Sequence, residues 1–514
     1  MRKLLRPDIG FPLAVVLAGL LAGAVYLSNA VRYDFPLGYA GLYSLMAERI
    51  YEGGVALPSS LPFYGPGGIP AALPPLGPLL SGLFVYRLGI PLFSYLRFAP
   101  PVLTITGLAL LFDLFRRILG SPTAALIGVI LSLSSPQLYA LHSTASGEVR
   151  ALALLVCLAG LILSWKALRT PERSWIALVC AAGFFGLTIL SHLAYGLFFV
   201  ISVVAFGAMR VRSGRQEAVL RVSLILLGGV TLSSLWWTSI GTRHGFGVFV
   251  AAFSTHGTLG GQAAMSQAAA MIQHFRQLPL QIWNSWNPPT LAGLGILGLS
   301  YGALRRRWIL PFWFILTAVI LGEADRFLIP LAAMAAASLI VELPTQLGGP
   351  ADHASIVPRV AYTAGIAALL FLSVYQGFLV IRATEPALSP EVLDLADWMG
   401  GATDADAEFL LASDDHDLAE WLPFLLGRTP VVSPWGAEWT GDYDAQRRLS
   451  DALDQCAATE SLECIEGLLP DAQTSELYGV VPRLSANLVG DFAGSRSWAE
   501  AYRNDGYLVF QREP

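Results

Sequence analysis

Apolar runs of roughly 17–25 residues, long enough to cross a hydrocarbon core, recur through positions 11–382 of this chain. A bilayer offers no water to an open backbone, so such runs must close their hydrogen bonds internally, as helices. The composition agrees: 54% of residues are hydrophobic and mean hydropathy is +0.58. Charged residues are 13%, about half the roughly 25% of an ordinary soluble domain. One globular core cannot hide that much apolar surface, so the expectation is a polytopic α-helical membrane protein.

Lys and Arg orient the runs. Met1-Arg2-Lys3-Leu4-Leu5-Arg6 puts the N-terminus in the cytoplasm, and the run 11–30 reads as an uncleaved first span. A long external loop, 31–97, follows. Within it Pro75 to Tyr86 is apolar but short and proline-led, and reads as a re-entrant or interfacial helix. Further spans fall at 98–115, 122–140, 151–167, 175–191, 194–209, 219–240, 290–304, 308–322, 327–342 and 360–382, about eleven in all. Basic loops alternate with them: Arg116-Arg117; Lys166, Arg169 and Arg173; Arg210, Arg212 and Arg215; Arg305-Arg306-Arg307. A second external loop, 241–288, carries Trp283 and Trp286, and Glu323-Ala324-Asp325-Arg326 forms a tight external turn.

After 382 the composition changes. Acidic residues cluster at Asp404, Asp406, Glu408, Asp414, Asp415 and Asp417, and apolar residues come in short runs. Helices are expected at Ser389 to Met399, Asp415 to Leu426 and Tyr443 to Ala457, with strands at Glu408 to Ala412, Pro430 to Ser433 and Gly506 to Phe510. The domain organisation is thus a transmembrane domain, 1–382, and a small extracytoplasmic α/β domain, 383–514. Of the four cysteines, Cys456 and Cys464 form a disulfide if this domain is external and stay buried thiols otherwise.

The net charge of −5 comes without a basic block, which argues against a nucleic-acid partner. No phosphate-binding glycine loop, HExxH or Cys/His metal spacing is present. ATP-driven transport therefore has no support.

Polar groups do recur near the external ends of spans: Asp34, then His142, Glu148 and Arg150, then His192, then Asp325-Arg326. Each is expensive beside hydrocarbon, so their recurrence on one side suggests a shared outward cavity. Asp34 suits a general base. Glu148 suits a second acid, or a partner of Asp34 on a divalent cation such as Mg or Mn; it could equally pair with Arg150. Arg326 suits a phosphate through paired donors, with His192 beside it. His142 and the tyrosines Tyr39 and Tyr64 are candidates for contacting a substrate. They could also be ordinary interfacial or core residues.

This layout resembles the GT-C class of membrane glycosyltransferases, nearest the protein mannosyltransferase and aminoarabinose transferase branch. The likeness rests on an acid just after the first span (Asp34, here followed by Phe35) and Tyr39. It continues with the proline-rich Leu73 to Pro78, the Arg97-led span ending Arg116-Arg117-Ile118-Leu119-Gly120, Ser135-Pro136 ahead of Glu148, and Arg326 to Pro330. Ser191-His192-Leu193 departs from the class pattern, and the likeness stops near residue 382.

The resemblance implies a polyprenyl-phosphate sugar as donor, its chain lying in membrane lipid. It also implies a glycan, lipid or protein acceptor, and inversion at the anomeric carbon at the outer face of the cytoplasmic membrane. Rival readings are an oligosaccharide-chain transferase, a transporter or flippase of lipid-linked glycans, and an inactive scaffold whose outer domain binds a partner. A transporter would place polar groups at mid-membrane instead.

Overall fold

The computed structural model describes residues 16, 19–169, 174–256, 286, 289–321, 325–347, 356–469 and 476–513. The start of the expected first span, 11–15 with 17 and 18, the 257–285 part of the second external loop with Trp283, Arg173, and Glu323-Ala324 lie outside them. The chain divides into two compact units. The first comprises Met1–Asp34, Leu96–Trp236 and His256–Thr384; the second comprises Phe35–Tyr95, Trp237–Thr255 and Glu385–Pro514.

The first unit is helical, and the chain is a multi-pass membrane protein. Among the described residues five helices are long and apolar enough to cross a bilayer, or up to seven if two bent pairs each count as one span. Three further apolar helices are shorter: Trp175–Ser191, Pro289–Leu304 and Ile309–Ile320. The expected eleven spans are therefore not matched one for one. The 12-residue Ile309–Ile320 helix rises only about 18 Å, against a core of roughly 30 Å.

One bent pair corrects the expected straight span 122–140. Pro122–Leu133 and Pro136–His142 meet at 74°. Pro136 cannot continue the first helix but fits the first position of the second, where Ser135 caps the amide of Leu138. Leu193–Leu232, although helical throughout, doubles back on itself. A Cβ on Gly207 would lie 2.7 Å from the side chain of Val222, whereas a straight helix would separate positions 15 residues apart by about 22 Å. The reversal falls where Arg210, Arg212 and Arg215 suggested a loop. Small residues let other helices close up: a Cβ on Gly298 would sit 2.4 Å from the backbone of Ala335, and one on Gly377 would strike Ser134.

The second unit holds the 383–514 sheet and most of the first external loop. Its five strands run in the order Thr429–Pro430, Glu408–Leu411, Leu477–Pro482, Tyr507–Arg512, Trp498–Arg503. The first three are parallel and the last two antiparallel. Ile465, Val481, Leu488, Phe492 and Phe510 lie in its core, and Cys456 and Cys464 are disulfide-bonded. The loop contributes the helix Gly41–Glu52, the hairpin Ser60–Leu61/Ile69–Pro70, and Leu76–Gly82, which runs on as a π turn through Arg87.

One buried carboxylate ties loop to sheet domain. Glu420, 1% exposed, accepts hydrogen bonds from the amides of Gly41 and Leu42 at 2.7 and 2.8 Å. Ala40, at the cap position, makes no side-chain cap, so Glu420 serves as the cap from 379 positions away. Trp421 donates to the Gly38 carbonyl from the same helix, His416–Leu426. Gly41 has to be glycine, because a Cβ there would fall 2.6 Å from the Tyr64 hydroxyl and 2.7 Å from the Glu420 carbonyl. Glu420→Ala should destabilise this unit by about 2 kcal/mol through the lost cap and the stranded amides. Limited proteolysis should then cut within Gly41–Glu52 first, with Glu420→Gln intermediate.

Candidate active site

The candidate site builds from helix ends in the first unit. Gly147 makes the turn between the helices Pro136–His142 and Gly147–Arg169 tight, since a Cβ there would lie 2.2 Å from the His142 carbonyl. That turn places Glu148, buried, in the first turn of the second helix, where the amide dipoles favour a carboxylate. Arg150 donates to Ser146 at 2.9 Å.

His142 is not an interfacial residue. It is 1% exposed, and both ring nitrogens are engaged. Nδ1 lies 2.9 Å from the Leu138 carbonyl, so it carries the proton. Nε2 therefore accepts, and the Tyr195 hydroxyl donates to it. With its polar atoms committed to protein, His142 cannot contact a substrate as the sequence suggested.

His192 interrupts two helices and caps the second. Its Nδ1 accepts from the amide of Ala194 at 3.3 Å, so a neutral ring carries its proton on Nε2 as a donor. The His192 ring packs edge-on against Tyr195, 5.4 Å between centroids. Tyr195 also meets Phe327, the residue after Arg326, at 4.8 Å between centroids. Arg326 and Arg150 both lie within electrostatic reach of Tyr195 and His142. Asp325 opens its helix and accepts from the Trp286 indole at 2.9 Å. Three of the expected residues, His142, His192 and Arg326, thus gather around Tyr195, which sequence reasoning missed.

Asp34 ends the first unit's opening segment. Its side chain is fully exposed and lies 3.9 Å from the Arg97 guanidinium. Arg97 also donates to the carbonyls of Asp34 at 3.1 Å and Ala30 at 2.8 Å. It therefore holds the frayed helix end from which Asp34 projects. An exposed ion pair contributes little by itself; the carbonyl contacts set the geometry.

Two links join this end to the Tyr195 cluster. Tyr26 packs on Tyr139, 5.4 Å between centroids. On the helix that carries Arg97, the Thr104 hydroxyl lies 2.8 Å from the His142 carbonyl. Seven residues of helix, about 10 Å, separate Arg97 from Thr104.

Tyr39 and Tyr64 belong to the second unit. Tyr64 is 1% exposed and its hydroxyl donates to the Glu420 carbonyl at 2.8 Å. Burial, and the Glu420 carboxylate beside it, raise its pKa well above the usual phenol value. It has no open ring face for a substrate, which corrects the expectation. Tyr39 is partly exposed.

No group of three or more His, Cys, Asp or Glu side chains among the described residues is placed to hold a metal ion. Asp34 and Glu148 belong to no such group, and the divalent cation that sequence reasoning paired with them stays an expectation.

No family model and no curated protein matches the sequence. Solved structures do. Archaeal oligosaccharyltransferase AglB from Archaeoglobus fulgidus, in complex with an inhibitory peptide and a dolichol-phosphate, superposes with TM-score 0.59 at 15% identity, covering 92% of this chain and 69% of that one. ArnT from Cupriavidus metallidurans bound to undecaprenyl phosphate gives 0.54 at 16%, covering 98% of each chain. Arabinofuranosyltransferase AftD from Mycobacteria gives 0.54 at 15%, covering 98% of this chain and 40% of that one. The fold is that of the GT-C glycosyltransferases. The oligosaccharyltransferase has also been solved in complex with Zn and sulfate. Within this GT-C fold, the Tyr195 cluster is built from helix ends of the first unit.

Proposed function

We propose that this protein transfers a sugar from a polyprenyl-phosphate donor to an acceptor hydroxyl at the outer face of the cytoplasmic membrane, with the sheet domain extracytoplasmic. The observation that carries the reading is the gathering of His192 and Arg326 around Tyr195 at the ends of separate membrane helices. A guanidinium and an imidazole N–H at such a place suit a phosphate whose isoprenoid chain remains in lipid. The fold shared with enzymes solved with dolichol-phosphate and undecaprenyl phosphate supports the same donor chemistry.

In this mechanism Asp34 takes the proton of the acceptor hydroxyl as its oxygen attacks the anomeric carbon. The bond from that carbon to the phosphate oxygen breaks, and the electron pair leaves with the polyprenyl phosphate. Arg326 stabilises the charge growing on that phosphate, helped by the His192 N–H. Arg97 keeps Asp34 in place. Glu148, buried at its helix N-terminus, serves as the second acid.

The protein reconstituted in vesicles with a panel of polyprenyl-phosphate sugars separates this from transport. Turnover should release polyprenyl phosphate and a glycosylated acceptor. Donor that crosses the bilayer with its sugar still attached would support the flippase instead.

A further inference from the structure

Tyr195 is 0% exposed and joins three membrane helices. Its hydroxyl donates to His142 on one, and its ring packs on Phe327 on another. Phe198, one helical turn after Tyr195, also stacks on Phe327, with centroids 4.5 Å apart and planes 15° from parallel. Trp313 backs Phe198 at 5.9 Å. Phe327 thus packs against both Tyr195 and Phe198, which ties the helix start that bears Arg326 to the helix that bears Tyr195.

This packing has an anchor. His142 holds the Tyr195 hydroxyl, and the Leu138 carbonyl fixes the His142 tautomer. With its proton given to His142, the Tyr195 oxygen keeps its lone pairs, and Arg326 and Arg150 lie within electrostatic reach of it. A ring chosen only to fill space would be Phe, since a buried hydroxyl is retained at a cost unless it is bonded for a purpose.

Resting on the donor site proposed above, we infer that Tyr195 is a positioning residue: anchored on His142, it sets the place from which Arg326 binds the lipid phosphate. It touches no reacting atom. Its contribution passes through Arg326.

The test is a double-mutant cycle on the full-length protein in lipid nanodiscs, with undecaprenyl phosphate as the binding probe. Tyr195→Phe keeps the ring packed on Phe327 and removes the bond to His142; the stranded His142 Nε2 should lower the melting midpoint, so the Kd and its dependence on Arg326 are the deciding readouts. The variant's Kd for undecaprenyl phosphate should weaken roughly tenfold, the scale of one hydrogen bond serving a charged group. In an Arg326→Ala background the same change should produce no further weakening. His142→Gln should weaken binding in the same Arg326-dependent way. Equal weakening by Tyr195→Phe in both backgrounds would make Tyr195 a separate or merely structural contact and overturn the inference. An unchanged Kd in Tyr195→Phe, with Arg326→Ala weakening binding, would also overturn it while leaving the donor site standing. An unchanged Kd in Arg326→Ala would remove the donor site itself, and this inference with it.

Discussion

Asp34→Asn should lower sugar transfer by roughly 10³-fold, the middle of the range for losing a positioned general base, while leaving the Kd for polyprenyl phosphate unchanged. Asn matches Asp in shape, so the backbone contacts from Arg97 to Ala30 and Asp34 survive. What is lost is the capacity to take a proton and a weak, exposed ion pair with Arg97. The check is initial rates at saturating donor beside a binding measurement. Asp34→Glu should recover part of the rate, because the carboxylate returns one methylene out of place. Full turnover by Asp34→Asn would remove this residue from the chemistry.

Arg326→Ala should cost both steps. In the ground state it removes the cation that pairs with the phosphate. In the transition state it removes the charge that meets the leaving group, and losing such a stabiliser typically lowers kcat by about 10²–10³-fold. Donor affinity should fall together with kcat, a pattern distinct from Asp34→Asn. Lysine should restore the charge but only part of the rate, since an ammonium cannot present the paired planar donors of a guanidinium. Retained kcat with a weakened Kd would reduce Arg326 to a binding residue.

Much of the membrane architecture was legible because hydrocarbon imposes one rule on every span. The apolar run ending near Arg210, Arg212 and Arg215 correctly indicated a reversal, which the Gly207–Val222 approach displays. The break at Ser134–Ser135 was less visible. Apolar residues continue on both sides of it, and hydropathy does not register that Pro136 starts a new helix at 74° to the last. In the sheet domain, Glu408–Leu411 and Tyr507–Arg512 sit where apolar runs suggested strands. Trp498–Arg503 was missed because an edge strand with outward polar side chains lacks an apolar run. Leu477–Pro482 was missed because it is buried on both faces and closes on a proline, so it shows no alternation.

The site residues divide along the same line. Asp34, Glu148, His192 and Arg326 could be singled out because charge or imidazole beside an apolar run is anomalous in itself. Tyr195 could not, since a tyrosine near a helix start reads equally as an interfacial aromatic. Tyr64 misled for the converse reason: in a Gly- and Pro-rich loop it looks exposed. Its burial depends on Glu420, 356 positions away, a tertiary contact with no local signature. Arg97 stood out only as the head of a span, and its grip on Ala30 and Asp34 is visible only in three dimensions.

The account turns on where the phosphate of a lipid-linked donor rests. A density map of the protein in lipid with undecaprenyl phosphate bound measures that directly. The phosphate oxygens should lie about 3 Å from the Arg326 guanidinium, within reach of His192 Nε2, with the isoprenoid chain in the bilayer. A phosphate held elsewhere, with Arg326 turned away from it, would contradict the proposal.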